Sequence, residues 1–140
     1  MTVTFDTETI RLITLFENLT GTGVKDCIID SGINTVYFII EEGEIGKAIG
    51  KNGSSVKNVE NLIKKDVKIF EFSDDLNCFV KNLIPQTNEI RIKNEDNRIV
   101  IEIRVDKKNK ALVMGRDCRN FKLCKEMLQR NHKVDDLIVK

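Results

Sequence analysis

The stretch from Val36 to Ile63 returns 65 positions later. Val36, Phe38 and Ile40 correspond to Ile101, Ile103 and Val105, and Ile49 corresponds to Met114. Val56, Val59, Leu62 and Ile63 correspond to Phe121, Cys124, Met127 and Leu128. Basic positions recur at the same offset, Lys51 with Arg116 and Lys57 with Lys122. Apolar and charged positions that recur together mark a duplicated structural unit, which chance periodicity does not readily give. In a chain of 140 residues the duplication leaves room for two small units and little besides. The expected units are residues 1–73 and 74–140.

Each unit reads as an α+β module. Asp6 is placed to cap a helix whose apolar face is Leu12, Leu15, Phe16 and Leu19, and Gly21 and Gly23 stop it. Val24–Asp30 and Thr35–Glu41 are strands, the second rich in β-branched and aromatic residues. Glu44–Ile49 is a short helix, Gly50–Gly53 a turn, and Ser54–Lys65 a helix with its stripe on Val56, Val59, Leu62 and Ile63. Val67–Phe72 closes the unit as a strand. The second half follows suit: a helix capped by Asp74 or Asp75 and running through Asn82, strands at Glu89–Lys93 and Arg98–Val105 around an Asn94–Asn97 turn, then a helix at Lys107–Met114. Gly115–Cys118 is again a turn, Arg119–Arg130 a helix and Leu137–Val139 a strand. The order is α-β-β-α-α-β in both halves, with a three-stranded sheet in each.

Composition removes several function classes. Hydrophobic residues are 41% and charged residues 32% of the chain, a folded rather than a disordered balance. No run approaches the ~20 apolar residues of a membrane span. Met1–Phe16 carries Asp6, Glu8 and Arg11, which argues against a signal peptide and for the cytoplasm. Cys27, Cys78, Cys118 and Cys124 form no Cys-x-x-Cys pair, and His132 is the single histidine, so no metal site is expected. The cysteines read as buried small apolar residues. Net charge is only +1, yet residues 1–49 carry three basic and eight acidic side chains, and residues 104–133 carry ten basic and three acidic. That segregation offers phosphates a basic half, while near-neutrality overall predicts modest nucleic-acid affinity.

The Gly50-Lys51-Asn52-Gly53 turn is the chemical candidate. Glycine at both ends allows positive φ and close approach of a ligand to the backbone. The helix that follows directs its N–H groups and positive dipole end at the turn, which suits a phosphate. Lys51 supplies charge and Asn52 polar donors. Ile45, Ile49 and Val56 would form an apolar floor for unstacked bases, with strand Val36–Ile40 as the opposite wall. Such a groove accepts single strands, because duplex bases are not splayed out to meet it. A lone Gly-x-x-Gly is usually a plain helix–helix turn; here the preceding Ile45-Gly46-Lys47-Ala48-Ile49, the flanking helices and the duplication all point beyond that.

On these residues the chain resembles the KH family in its type II arrangement, α-β-β-α-α-β. Two such modules in tandem are similar to the archaeal NusA family of transcription elongation and termination factors, over nearly the full chain. Ile45–Gly53 matches the first module's signature, and Gly115-Arg116-Asp117-Cys118-Arg119-Asn120 resembles the second module's Gly-Arg-x-Gly-Arg-Asn. One departure stands out: Cys118 replaces the second glycine, adding a Cβ where backbone should approach RNA, and Asp117 places a negative charge at the tip. The resemblance implies binding of single-stranded RNA as nascent transcript, contact with RNA polymerase, and a close module–module interface that extends the RNA surface. The implied RNA-binding residues are Ile45, Lys47, Ile49, Gly50, Lys51, Asn52, Gly53, Val56 and Lys57, then Gly115, Arg116, Arg119, Asn120 and Lys122. No cofactor, catalytic group or small-molecule substrate is implied.

Gly46–Asn52 superficially suggests a P-loop, but only three residues separate the glycines, and Asn52 stands where Ser or Thr must hold magnesium. No paired acid/base or nucleophile–histidine set is visible, so an enzyme is not expected. Cys118 beside arginines at a helix start has the setting of a reactive thiol, yet lacks a base partner and reads as a turn residue. The alternatives retained are a KH-type RNA-binding role in ribosome assembly or RNA processing, and a protein-interaction module with vestigial RNA grooves and an acidic working surface.

Overall fold

The structure, a computed structural model, describes residues 6–140. Residues 1–5, the front of the segment read against a signal peptide, lie outside the described residues. Two units are distinguished, one ending at Asp74 and the other running Asp75–Lys140.

In the first unit, helix α1 (Thr7–Thr20) starts where the Asp6 carboxylate accepts the Thr9 N–H at 2.8 Å, and stops at Gly21 in the left-handed region. Its buried apolar residues are Leu12 and Phe16, with Ile13 packed beside them. Leu19, expected on the same stripe, is 39% exposed. Strands β1 (Val24–Asp30) and β2 (Thr35–Ile40) pair antiparallel, and β3 (Asp66–Glu71) adds parallel to β2. A parallel pair needs a crossover; helices α2 (Ile45–Ile49) and α3 (Ser54–Ile63) provide it. The core joins Leu12, Phe16, Cys27, Val36, Phe38, Ile40, Ala48, Val59 and Val67, with the Phe16 and Phe38 rings stacked at 4.2 Å.

The second unit has the same element order: α4 (Leu76–Leu83), β4 (Thr87–Glu95), β5 (Arg98–Val105), α5 (Lys110–Met114), α6 (Arg119–His132) and β6 (Asp136–Val139). Asp75, rather than Asp74, caps α4 through the Asn77 N–H. The sheet again runs antiparallel then parallel. Strand β4 extends past its expected limits to Thr87 and Glu95, because a two-residue turn closes the hairpin: Asp96 and Asn97 both take positive φ, 50° and 63°. Turns of that kind match the twist of the flanking strands. The first unit joins its strands by the longer Ser31–Asn34 loop.

The duplication is faithful on the core face and lost on the other. Facing away from the helices, Tyr37 and Ile39 of β2 are buried and neighbour Ile28 and Phe70, with the Tyr37 and Phe70 rings 6.4 Å apart. The positions matching Tyr37 and Ile39 are Glu102 and Arg104, flanked by Arg91 and Lys93 on β4. Helix stripes also diverge. Leu62, on the helix stripe that the sequence assigns to the core, is 60% exposed, whereas its counterpart Met127 is fully buried. Helix α3 ends at Ile63, one residue beyond Leu62, while α6 continues past Met127 to His132. Leu62 thus sits in a terminal turn with less helix alongside it.

Glu102 lies between Lys140 at 2.8 Å and Lys93 at 3.1 Å. These two ammonium groups, Lys140 first, hold its carboxyl at about 2 against an ordinary 4.5. A lowered folded pKa contributes stability above the unfolded value and loses it as pH falls through the folded one. The stability difference between wild type and Glu102→Gln, measured by urea unfolding, is therefore expected to be full at pH 6 and to vanish between pH 4.5 and 2. A pH-independent difference would show that the lysines contribute packing alone.

Many acidic groups of the first unit serve the backbone. Glu17 accepts the Val24 N–H, Glu44 that of Gly23, Glu60 that of Val67, Glu71 that of Gly43 and Glu42 that of Asp74, at 2.7–3.3 Å. Cysteine burial corrects the expectation for Cys78, which is exposed; Cys27 and Cys124 are buried, and Cys118, read as a turn residue, is exposed. Burial pushes the Cys124 thiol up to about 12. The Cys78 thiol donates to the Asp75 carboxylate at 3.1 Å.

Candidate nucleic-acid interface

The first turn is set by Gly50 at φ 78°, ψ 175°. That region is essentially open to glycine alone. A Cβ there would lie 2.9 Å from the Ser55 backbone nitrogen. Asn52 (φ 56°, ψ 29°) and Gly53 (φ 74°, ψ 16°) follow in the left-handed region, and α3 begins at Ser54. A Cβ on Gly53 would meet nothing within 4 Å. Gly50 is thus fixed by what lies beneath it, and Gly53 faces open space.

The backbone donors are fewer than the sequence suggested. Gly50 N–H is spent on the Gly46 carbonyl at 3.0 Å, Gly53 N–H on Gly50 at 3.3 Å and Ser54 N–H on Lys51. Among the described residues, the Lys51 and Asn52 N–H groups donate to no backbone carbonyl, and both residues are exposed at the tip. Lys47 and Lys57 are exposed on either side, and neither they nor Lys51 form an ion pair among the described residues. Ile49 is 40% exposed; Ile45 and Val56 are half-buried and pack against the core. The apolar floor therefore rests mainly on Ile49. The expected wall does not exist as side chains: Thr35–Ile40 is buried along its whole length, because β2 is the central strand with residues packed on both faces.

The second turn repeats this backbone in spite of its different letters. Gly115 has φ 73°, ψ 174°, Asp117 φ 55°, ψ 31° and Cys118 φ 58°, ψ 25°. Cys118 N–H donates to Gly115 at 3.2 Å, as Gly53 does to Gly50. Beneath Gly115 sits Asn120, whose amide donates to the Leu112 carbonyl at 3.2 Å. Asn120, a candidate RNA contact from sequence, thus ties α6 to α5, and Ser55 occupies the matching place in the first unit. Ser55 carried no sequence signal except its alignment with Asn120. Arg116 and Lys122 are exposed and Arg119 is half-buried.

Cys118 holds a left-handed conformation that costs a residue with a Cβ about 1–2 kcal/mol. Glycine there relieves that strain and returns about 0.4–1 kcal/mol to the unfolded chain's entropy. Cys118→Gly is therefore expected to be more stable by about 0.5 kcal/mol in urea unfolding. A destabilised variant would mean the thiol makes a contact of value.

This order of elements around a glycine-edged turn defines an RNA-recognition module of the KH type, and the KH domain family profile matches residues 11–81. Proteins named probable transcription termination protein NusA align along nearly the whole chain. That of Methanocaldococcus jannaschii is 32% identical over 98% of this chain and 75% of its own length. That of Halococcus morrhuae is 31% identical over 98% of both. A solved structure described as the crystal structure of APE1850 superposes with a TM-score of 0.81 at 28% identity, covering 97% of this chain and 100% of that one. The chain belongs to the KH-domain family of archaeal NusA proteins.

Proposed function

We propose that the protein is a single-stranded RNA-binding transcription factor with two tandem type II KH domains, residues 1–73 and 74–140, that acts on nascent transcript alongside RNA polymerase. The observation that carries this reading is the Gly50–Gly53 turn: an exposed Lys51–Asn52 tip with two backbone donors unspent among the described residues, a glycine beside it open to solvent, and Ile49 exposed at its flank. Phosphates meet the tip and amides, and an unstacked base rests on Ile49. The name borne by the relatives, transcription termination protein, supports the setting. The matching turn at Gly115–Cys118 supports a second KH domain. Its RNA contacts are Arg116, Arg119 and Lys122, with Asn120 as the brace.

The rival reading, an acidic protein-docking surface, loses ground because five carboxylates of the first unit already accept backbone N–H groups. Fluorescence anisotropy with one sequence as single strand and as duplex tests the proposal. Single strands are expected to bind at least tenfold tighter; equal or duplex-preferring binding would refute the groove.

A further inference from the structure

We infer that Lys107, Lys108 and Lys110 form an additional phosphate-binding surface that the first unit lacks, so that the second unit holds a longer run of RNA backbone. The inference rests on the RNA-binding reading of the turns and extends it.

After β5, a single tight helical turn (Lys107–Asn109) runs directly into α5 (Lys110–Met114), which ends at Gly115. The three lysines are exposed, and none forms an ion pair among the described residues. The one carboxylate at the start of the segment, Asp106, accepts the Asn88 amide at 2.8 Å. Helical rise places Lys107 about 13 Å from Gly115, so RNA held at the turn reaches the lysines only by continuing beyond it. Leu112, between these lysines and the turn, is 60% exposed. Four residues from Lys108, it offers a base an apolar contact on that lysine's side of the helix.

The first unit has the opposite chemistry at the same topological place. There β2 is followed by Glu41-Glu42-Gly43-Glu44. Glu42 and Glu44 are bound to the Asp74 and Gly23 N–H groups. Where Leu112 stands bare, the first unit has Lys47. The segment leading into the first turn is acidic, and the one leading into the second carries three exposed cations.

The test uses the full chain with Lys107→Gln, Lys108→Gln and Lys110→Gln combined, its fold checked by circular dichroism, and labelled RNAs of about 4 and about 10 nucleotides. Three lost phosphate contacts on a single strand are expected to make the slope of log K against log salt shallower by about 2. Affinity for the longer RNA is expected to fall about fortyfold at 0.15 M salt, with the shorter RNA nearly unaffected. Unchanged slope and affinity for the longer RNA, in a variant whose parent binds RNA through its turns, would overturn this inference and leave the proposed function standing. A parent chain that binds no RNA would overturn both. Polyglutamate retained as well as RNA, and lost in the same variant, would assign the lysines to an acidic protein partner and overturn the inference.

Discussion

Replacing Lys51 and Asn52 together by Asp is expected to lower single-stranded RNA affinity at least a hundredfold while leaving the fold intact. The tip then carries two negative charges where it carried one positive. Each lost or reversed phosphate contact weakens binding steeply at low salt, and a hundredfold corresponds to about 2.7 kcal/mol. Folding is expected to stay intact because the chain contains its own control. Asp117 occupies the position matching Asn52 with φ 55°, ψ 31° against 56°, 29°. Aspartate is one of the few residues that visit this region readily, and Lys51 is exposed. Residual affinity reports the second turn. A folded double variant with undiminished RNA binding would transfer the protein to the interaction-module class.

Gly50→Ala is expected to destabilise the first unit by about 3 kcal/mol, lowering its melting temperature by roughly 10–20 °C. Two costs combine. The φ 78°, ψ 175° conformation excludes a Cβ, and that Cβ would press on the Ser55 backbone nitrogen at 2.9 Å. Backbone cannot swing aside as a side chain can. Gly53→Ala is the comparison: its Cβ enters open space, so the left-handed conformation alone costs about 1 kcal/mol. RNA affinity, by contrast, should suffer from Gly53→Ala, since the new methyl would stand on the face proposed to meet RNA. Calorimetry and anisotropy on both variants separate the roles. Equal loss of stability would mean the two glycines share one function.

How far the sequence reveals this protein depends on which force placed each residue. Enrichment in β-branched and aromatic residues located β2, and the 3.6-residue period located α3. Gly50 and Gly115 announced their turns because their conformation admits no other residue. What was hidden depends on neighbours remote in the chain. Leu62 reads like Met127, yet a helix that stops one residue later leaves it in solvent. The unbroken apolar run Val36–Ile40 fits a strand buried on both faces or a buried helix segment alike, and the run alone does not decide between them. The polar end of β4 through Glu95 looks like loop, because a hairpin arm without a core leaves no hydrophobic trace. Nor does an acidic composition disclose that Glu17, Glu44 and Glu60 are tied to distant N–H groups.

The likeness of the two tips, Asn-Gly in one and Asp-Cys in the other, separates spelling from shape. Since Gly50 over Ser55 and Gly115 over Asn120 govern the bend from below, the two residues above them act as an interchangeable cassette. Randomising those positions across amino acids that tolerate a left-handed backbone would yield a library of reprogrammed binders on an unaltered scaffold.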